Sequence, residues 1–354
     1  MLKWGGGIGR FAGFAGVVLA TLVLAVSSPA IGQIVLDDTE VGYSNDGWLN
    51  FINPQNSNVN HATVGPDASR LMNYGTITTA NVRGENYYQS AGRTGHISNL
   101  GTIHILSVGG GMVDNGLEVP IGTIHSANIS GTNGTLVNLA TIDTVTISAG
   151  WIYNLNHPYS SVYGTHGTID TMNVIGGQVN NGGFATIDTV FFAGGTVNNI
   201  SRIEQLTYFG GTYNGKQIEE PWWGSVVTGT GTIGTLTVAG LLNASGSNNW
   251  WGEVESVQFA QGRGGVLSLV ASYNNSIFSI TNTMTAGSVD FTYGVILVDL
   301  FGGTASDFLG EEFFFAEIFG ANTRIENMEN LVSFGVQVGG VTEWILQDRV
   351  FADG

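Results

Sequence analysis

A chain of 354 residues is long enough to bury a substantial core, yet 54 glycines argue against helices, and 43% apolar residues is too high for disorder. The 27 acidic against 10 basic residues, a formal charge of −17, exclude a nucleic-acid partner, because phosphate binding needs clustered lysine and arginine, and disfavour anionic lipid. Cysteine is absent, so disulfides, thiolate nucleophiles and cysteine metal sites are all excluded.

Residues 1–32 read as a secretory signal peptide. Lys3 and Arg10 flank a glycine-rich start, Phe11 to Val26 carries no charge, and the small residues Ser28, Ala30 and Gly32 suit a signal peptidase. The apolar run falls short of the roughly 20 residues needed to cross a bilayer, and no later segment is apolar enough, so no transmembrane span is expected after cleavage. The expected location is secreted or cell-surface.

Residues 33–73 read as an N-terminal cap. Polar turns at Asp37, Asp38, Asn45 and Asp46 alternate with Val41, Trp48, Leu49, Phe51 and Ile52, and a stacked array needs something over its first apolar layer.

From 74 to 262 the chain repeats. Thr-Ile recurs with isoleucine at 77, 103, 124, 142, 169, 187 and 233 (Arg202-Ile203 is the variant), followed three residues later by a small or apolar residue and two further on by another. The offset of two is one strand with two inward side chains; the odd offset of three requires a corner after the isoleucine. The other half of the unit is Gly, any residue, apolar, any residue, Asn, as in Gly134-Leu136-Asn138 and Gly195-Val197-Asn199. Glycine and asparagine tolerate corner conformations, and stacked asparagines can bond along a ladder. Period and pattern predict an all-β, single-stranded parallel β-helix, or β-solenoid. Ordering each residue of a coil costs about 1–2 kcal/mol, whereas its few inward side chains return about 1.5–3 kcal/mol each, so a coil folds only when stacked. Residues 263–354 read as irregular last coils and a β-rich C-terminal cap, with a strand pair turning at Gly339-Gly340.

The phrases Gly-Thr-Ile-Gly-Thr-Leu-Thr-Val-Ala-Gly (231–240) and Ala-Thr-Ile-Asp-Thr-Val-Phe-Phe-Ala-Gly-Gly-Thr-Val-Asn-Asn (185–199) resemble the passenger repeats of bacterial autotransporter-type surface proteins and exported adhesins. The resemblance covers about residues 75–262 and implies an exported β-solenoid used for adhesion or surface architecture. It carries over no catalytic residue. The chain departs from that family in showing no series of amphipathic strands of about ten residues, the mark of a translocator barrel.

Three constellations are candidates for chemistry. The position after the repeat isoleucine holds His104, His125, Asp143, Asp170, Asp188 and Glu204, which stacking would align about 4.8 Å apart. The carboxylates Asp143, Asp170, Asp188 and Glu204 would repel at that spacing unless a cation, with calcium the best match to oxygen ligands, lies between them; alternatively each bonds its own backbone at the corner. The same acids raise a second reading, a secreted polysaccharide lyase or hydrolase, which needs two carboxylates at a workable separation or a base such as Arg202. Trp222, Trp223, Trp250 and Trp251, with Tyr159 and Tyr163, could stack on sugar rings; the alternative is a lid over the core. The outward threonine before each isoleucine could order water as ice-binding solenoids do, although charges stand beside it; threonine is also simply a good strand former. The resulting expectation is a surface-associated structural or adhesive protein with a glycan or protein partner, the alternative being the carbohydrate-active enzyme.

Overall fold

The computed structural model describes residues 34–36, 51–65, 70–84, 95–117, 121–155, 166–219, 226–245, 250–262, 265–274, 277–281, 284–304, 319–320 and 322–345. The expected signal peptide, Tyr159, Tyr163, Trp222 and Trp223 lie outside the described residues.

One coil shows how the repeat becomes structure. Gly134–Asn138 is a short strand and Thr141–Ile147 a long one. Leu136, Ile142, Val145 and Ile147 are all fully buried. Along the long strand, Ile142 pairs with Ile169 and Thr144 with Thr171, whereas Asp143 and Asp170 between them are left out of the register. The backbone therefore turns at Asp143, and the odd offset of three brings Val145 back to the inside. Gly150 closes the coil at φ +77°, where a side chain would also collide with the Gly134 carbonyl of the coil below.

Stacked coils build two parallel sheets. The long strands run in chain order from Asn58–Val64 through Thr76–Val82, Thr102–Val108, Thr123–Ile129, Thr141–Ile147, Thr168–Val174, Thr186–Phe192, Arg202–Tyr208, Thr232–Val238 and Gly252–Phe259 to Met284–Asp290 and Arg324–Glu326. The short strands form a nine-stranded sheet from Phe51–Asn53 to Thr212–Asn214. Because each coil pairs only with its sequence neighbours, the chain is a parallel β-solenoid. Parallel pairing continues on both sides of the expected 74–262 range. It begins at Phe51, inside the expected cap, and runs through Val295–Phe301 to Ser333–Val338 in a third sheet. Antiparallel strands cover both ends: Ile34–Leu36 lies against Asn58–Val64, and Val341–Ile345 against Ser333–Val338. Such strands satisfy edges that would otherwise pair with other chains.

The last asparagine of each short strand from Phe51–Asn53 to Thr196–Asn199 points inward. Eight of them, Asn53, Asn73, Asn99, Asn115, Asn138, Asn154, Asn181 and Asn199, are fully buried. Each of the first seven donates from Nδ2 to Oδ1 of the next at 2.7–2.8 Å. Each amide also donates to the backbone carbonyl that opens the next coil's long strand, as Asn138 does to Thr168 at 3.0 Å. The file starts with the Ser57 hydroxyl donating to Asn53 and ends with Asn199 donating to the Tyr213 hydroxyl at 2.9 Å.

At that end the core widens. Tyr213 occupies the inward position below which Val197 sits, and Trp251 stacks on it at 4.8 Å between centroids, with Tyr208 against the indole edge at 5.1 Å. The short-strand sheet stops there. The antiparallel pair Gln217–Glu219/Val226–Thr228 leaves the stack and adds Ile218 to a second apolar cluster, formed with Met112, Val137, Leu139, Tyr153 and Leu155 on the outer side of the short-strand sheet.

Replacing Asn138 by alanine removes the donor to Asn154 and to the Thr168 carbonyl and leaves buried polar groups unmatched, at about 1–3 kcal/mol each. Chemical denaturation of Asn138→Ala is expected to show a loss of about 2–4 kcal/mol, whereas Asn198→Ala, on the outward side of the same sheet, should cost under about 1 kcal/mol.

Candidate functional site

The corner after the repeat isoleucine does form one column. His104 and His125 stack with centroids 4.9 Å apart, and His125 Nδ1 lies 2.6 Å from Asp143 Oδ2. Asp170 follows, its carboxyl raised above the usual aspartate range first by burial and then by the charges of Asp143 and Asp188. At the far end Arg202, standing where other coils have threonine, bonds Glu204 through Nε and Nη2 and reaches Glu255 through Nη1 at 2.7 Å. The intervening corner residue is Gly234, and the absence of a side chain there leaves the guanidinium room to span two coils. The Arg202 hydrogen bond holds the Glu204 carboxyl below its usual range, against the opposing effect of burial.

The calcium reading of Asp143, Asp170, Asp188 and Glu204 rests on how these side chains are spaced. Among the described residues no three or more His, Asp or Glu groups converge to hold a metal ion. Each coil delivers one side chain to the corner, so the acids stand in single file, with Asp143 beside the His125 ring at one end and Glu204 paired with Arg202 at the other.

The tryptophan pair divides. Trp251 is fully buried, with Tyr213 on one face, Tyr208 at its edge and its Nε1 donating to the Asn243 carbonyl at 3.2 Å, so it has no surface for a sugar. It fills the widened core, as the lid alternative required. Trp250 is half-buried and carries the Lys216 ammonium 3.5 Å from its ring centroid.

Three features were not anticipated. On the short-strand sheet the Asp114 side chain is 1% exposed; it accepts from the Ser98 hydroxyl at 2.6 and 2.7 Å, meets His96 Nε2 at 2.5 Å and lies 3.9 Å from Arg70 Nη2. This clamp joins three coils, and its outward positions could have been found by aligning the second and fourth residues of each Gly-x-apolar-x-Asn unit. Near the C-terminal end a groove of about 440 Å³ is lined by Glu253, Glu255, Thr285, Asn322 and Thr323 among others. Finally, the outward side of nine adjacent long strands is uncharged beyond the corner: from Thr79 and Asn81 to Ser256 and Gln258, eighteen positions include no Asp, Glu, Lys, Arg or His, and His61 and Asp290 bound the stretch on the strands to either side.

No protein-family model, curated protein or solved structure matches this chain.

A carboxyl raised in the folded state favours its protonated form there, so its contribution to stability is present at low pH and is lost as pH rises through the folded pKa. Asp170→Asn is therefore expected to unfold at a higher temperature than the parent at pH 7, the gain vanishing below the ordinary aspartate pKa of about 3.9 and shrinking in concentrated salt. Millimolar calcium is expected to leave the melting temperature of the parent unchanged; a rise abolished by Asp170→Asn would establish the cation reading.

Proposed function

We propose that the protein is an exported, surface-associated β-solenoid with a structural or adhesive role, akin to the passenger repeats of bacterial surface proteins. The observation that supports this reading best is the long stack itself: coil pairs with coil from Phe51 to Val338, with an antiparallel strand on one sheet edge at each end. A rod of this kind holds side chains in fixed columns over a long distance, which suits multivalent attachment to a repetitive partner. The apolar run before Val26 supplies the export signal in this reading. No helix among the described residues is long and apolar enough to cross a membrane.

The secreted carbohydrate-active enzyme remains a second reading because Glu253 and Glu255 line one groove. Two carboxyl groups beside a groove are the minimum equipment for glycoside hydrolysis.

Expression in a bacterial host with the leader intact is expected to yield exported protein whose first residue, by N-terminal sequencing, is Ile31 or Gln33. Incubation with polysaccharides separates the readings: the adhesive one expects retention on glycan without new reducing or unsaturated ends. Release of such ends, abolished by Glu253→Gln or Glu255→Gln, would establish the enzyme instead.

A further inference from the structure

Resting on the adhesive reading, the structure also bears on where a partner would sit and what its chemistry would be. With Trp251 inside the core, the described coils between Thr76 and Phe259 present three outer sides. The short-strand side is occupied by its own apolar cluster and the Gln217–Glu219 arm. The corner is the file of histidines and carboxylates. The third is the uncharged side of the long strands.

We infer that this third face, spanning Thr79 to Gln258, is a docking surface for a neutral, extended, hydroxyl-rich polymer, namely the flat face of a crystalline neutral polysaccharide.

Four observations carry the inference. The first is charge. In a chain of net charge −17, eighteen contiguous outward positions without an ionisable side chain form a surface unable to pair with uronates, sulfates, phosphates or ammonium groups, and the Asp143–Asp170–Asp188 file along its edge repels polyanions. The second is hydrogen-bonding capacity. All but Ile105 and Phe191 of these positions are threonine, serine, asparagine or glutamine, which both donate and accept, as sugar hydroxyls do. Neighbouring side chains already bond across strands in the same manner: Gln258 Nε2 donates to Thr237 Oγ1 at 2.9 Å.

The third is geometry. Strands paired without a slip place the two columns about 7 Å apart along the strand and repeat them every 4.8 Å or so, over a width of about 38 Å. Such an array is too long and too regular for a compact ligand and matches one that is itself periodic. The fourth is the pair of apolar exceptions. Ile105 is 51% exposed and Phe191 41%, both within the face, where each can cover the apolar side of a pyranose ring.

The test uses the exported chain and three probes: microcrystalline cellulose, crystalline chitin and soluble polygalacturonate. The parent is expected to co-sediment with at least one of the two crystalline polymers and to ignore polygalacturonate. Thr171→Lys with Thr237→Lys, and separately Phe191→Ala, should lower the retained fraction at least tenfold with unchanged circular dichroism and melting temperature. Thr168→Lys, outward on the same strand as Thr171 but before the corner, should bind as the parent does. If the face variants bind as well as the parent, the docking surface is elsewhere and this inference fails while the adhesive reading stands. If the parent is retained by neither polymer, the inference fails; if it is then also not retained on any cell surface or soluble glycan, the adhesive reading fails with it. Inhibition of ice recrystallisation, lost in the face variants and seen without polysaccharide retention, would assign the face to an ordered water lattice and overturn the inference.

Discussion

Everything in this molecule depends on each coil finding its partner one step along the axis. A coil of this chain has few inward side chains and leaves its backbone groups pointing up and down, so alone it cannot offset the cost of ordering. Pairing with the next coil satisfies those groups and covers the apolar layer at once. The asparagine file adds a side-chain version of the same rule: Asn138 is satisfied only because Asn115, Asn154 and Thr168 stand at their own stations. Register is thereby specified twice, since a slip by one residue would expose the isoleucines and strand the buried amides together.

Once register is uniform, side-chain chemistry is sorted by column, not by position along the chain. One residue per coil at the corner becomes a charged file ending in Arg202 with Glu204 and Glu255. The free positions of the short strands become an apolar patch shared with Ile218 at one end and the Arg70–His96–Ser98–Asp114 clamp at the other. The free positions of nine adjacent long strands, between His61 and Asp290, become a neutral surface. Three chemically distinct sides follow from a single repeat.

How much of this the sequence shows by itself depends on what each position must do. The inward isoleucines and the corner after them are legible because geometry imposes a spacing of three and then two, with little tolerance. The asparagine file is legible for a related reason, since a polar residue recurring at an inward position has to be bonded to its own copies. Coil ends are less legible. Asn53 and Val59 already belong to the stack although Gly-Thr-Ile has not yet appeared, and Val295–Phe301 pairs in parallel without any repeat motif, because backbone pairing does not need those side chains. Trp251 was ambiguous between surface and core, and the deciding fact is three-dimensional: Tyr213 and Tyr208 open a space that only a large ring fills. The neutral face left no motif because its signal is an exclusion spread over nine strands, visible only when the strands are laid side by side.

The direction of the amide file has an electrical consequence. Every asparagine from 53 to 181 gives its hydrogen toward the C-terminal end and receives from the N-terminal side. Their dipoles therefore add along the rod axis, and each polarises the next, so that the two tips of this stretch differ in sign of potential much as the two ends of a helix do. The rod is thus a vector as well as a scaffold: one pole lies near its N-terminal end at Asn53, and the other is sealed inside the stack at Tyr213 beneath Trp251.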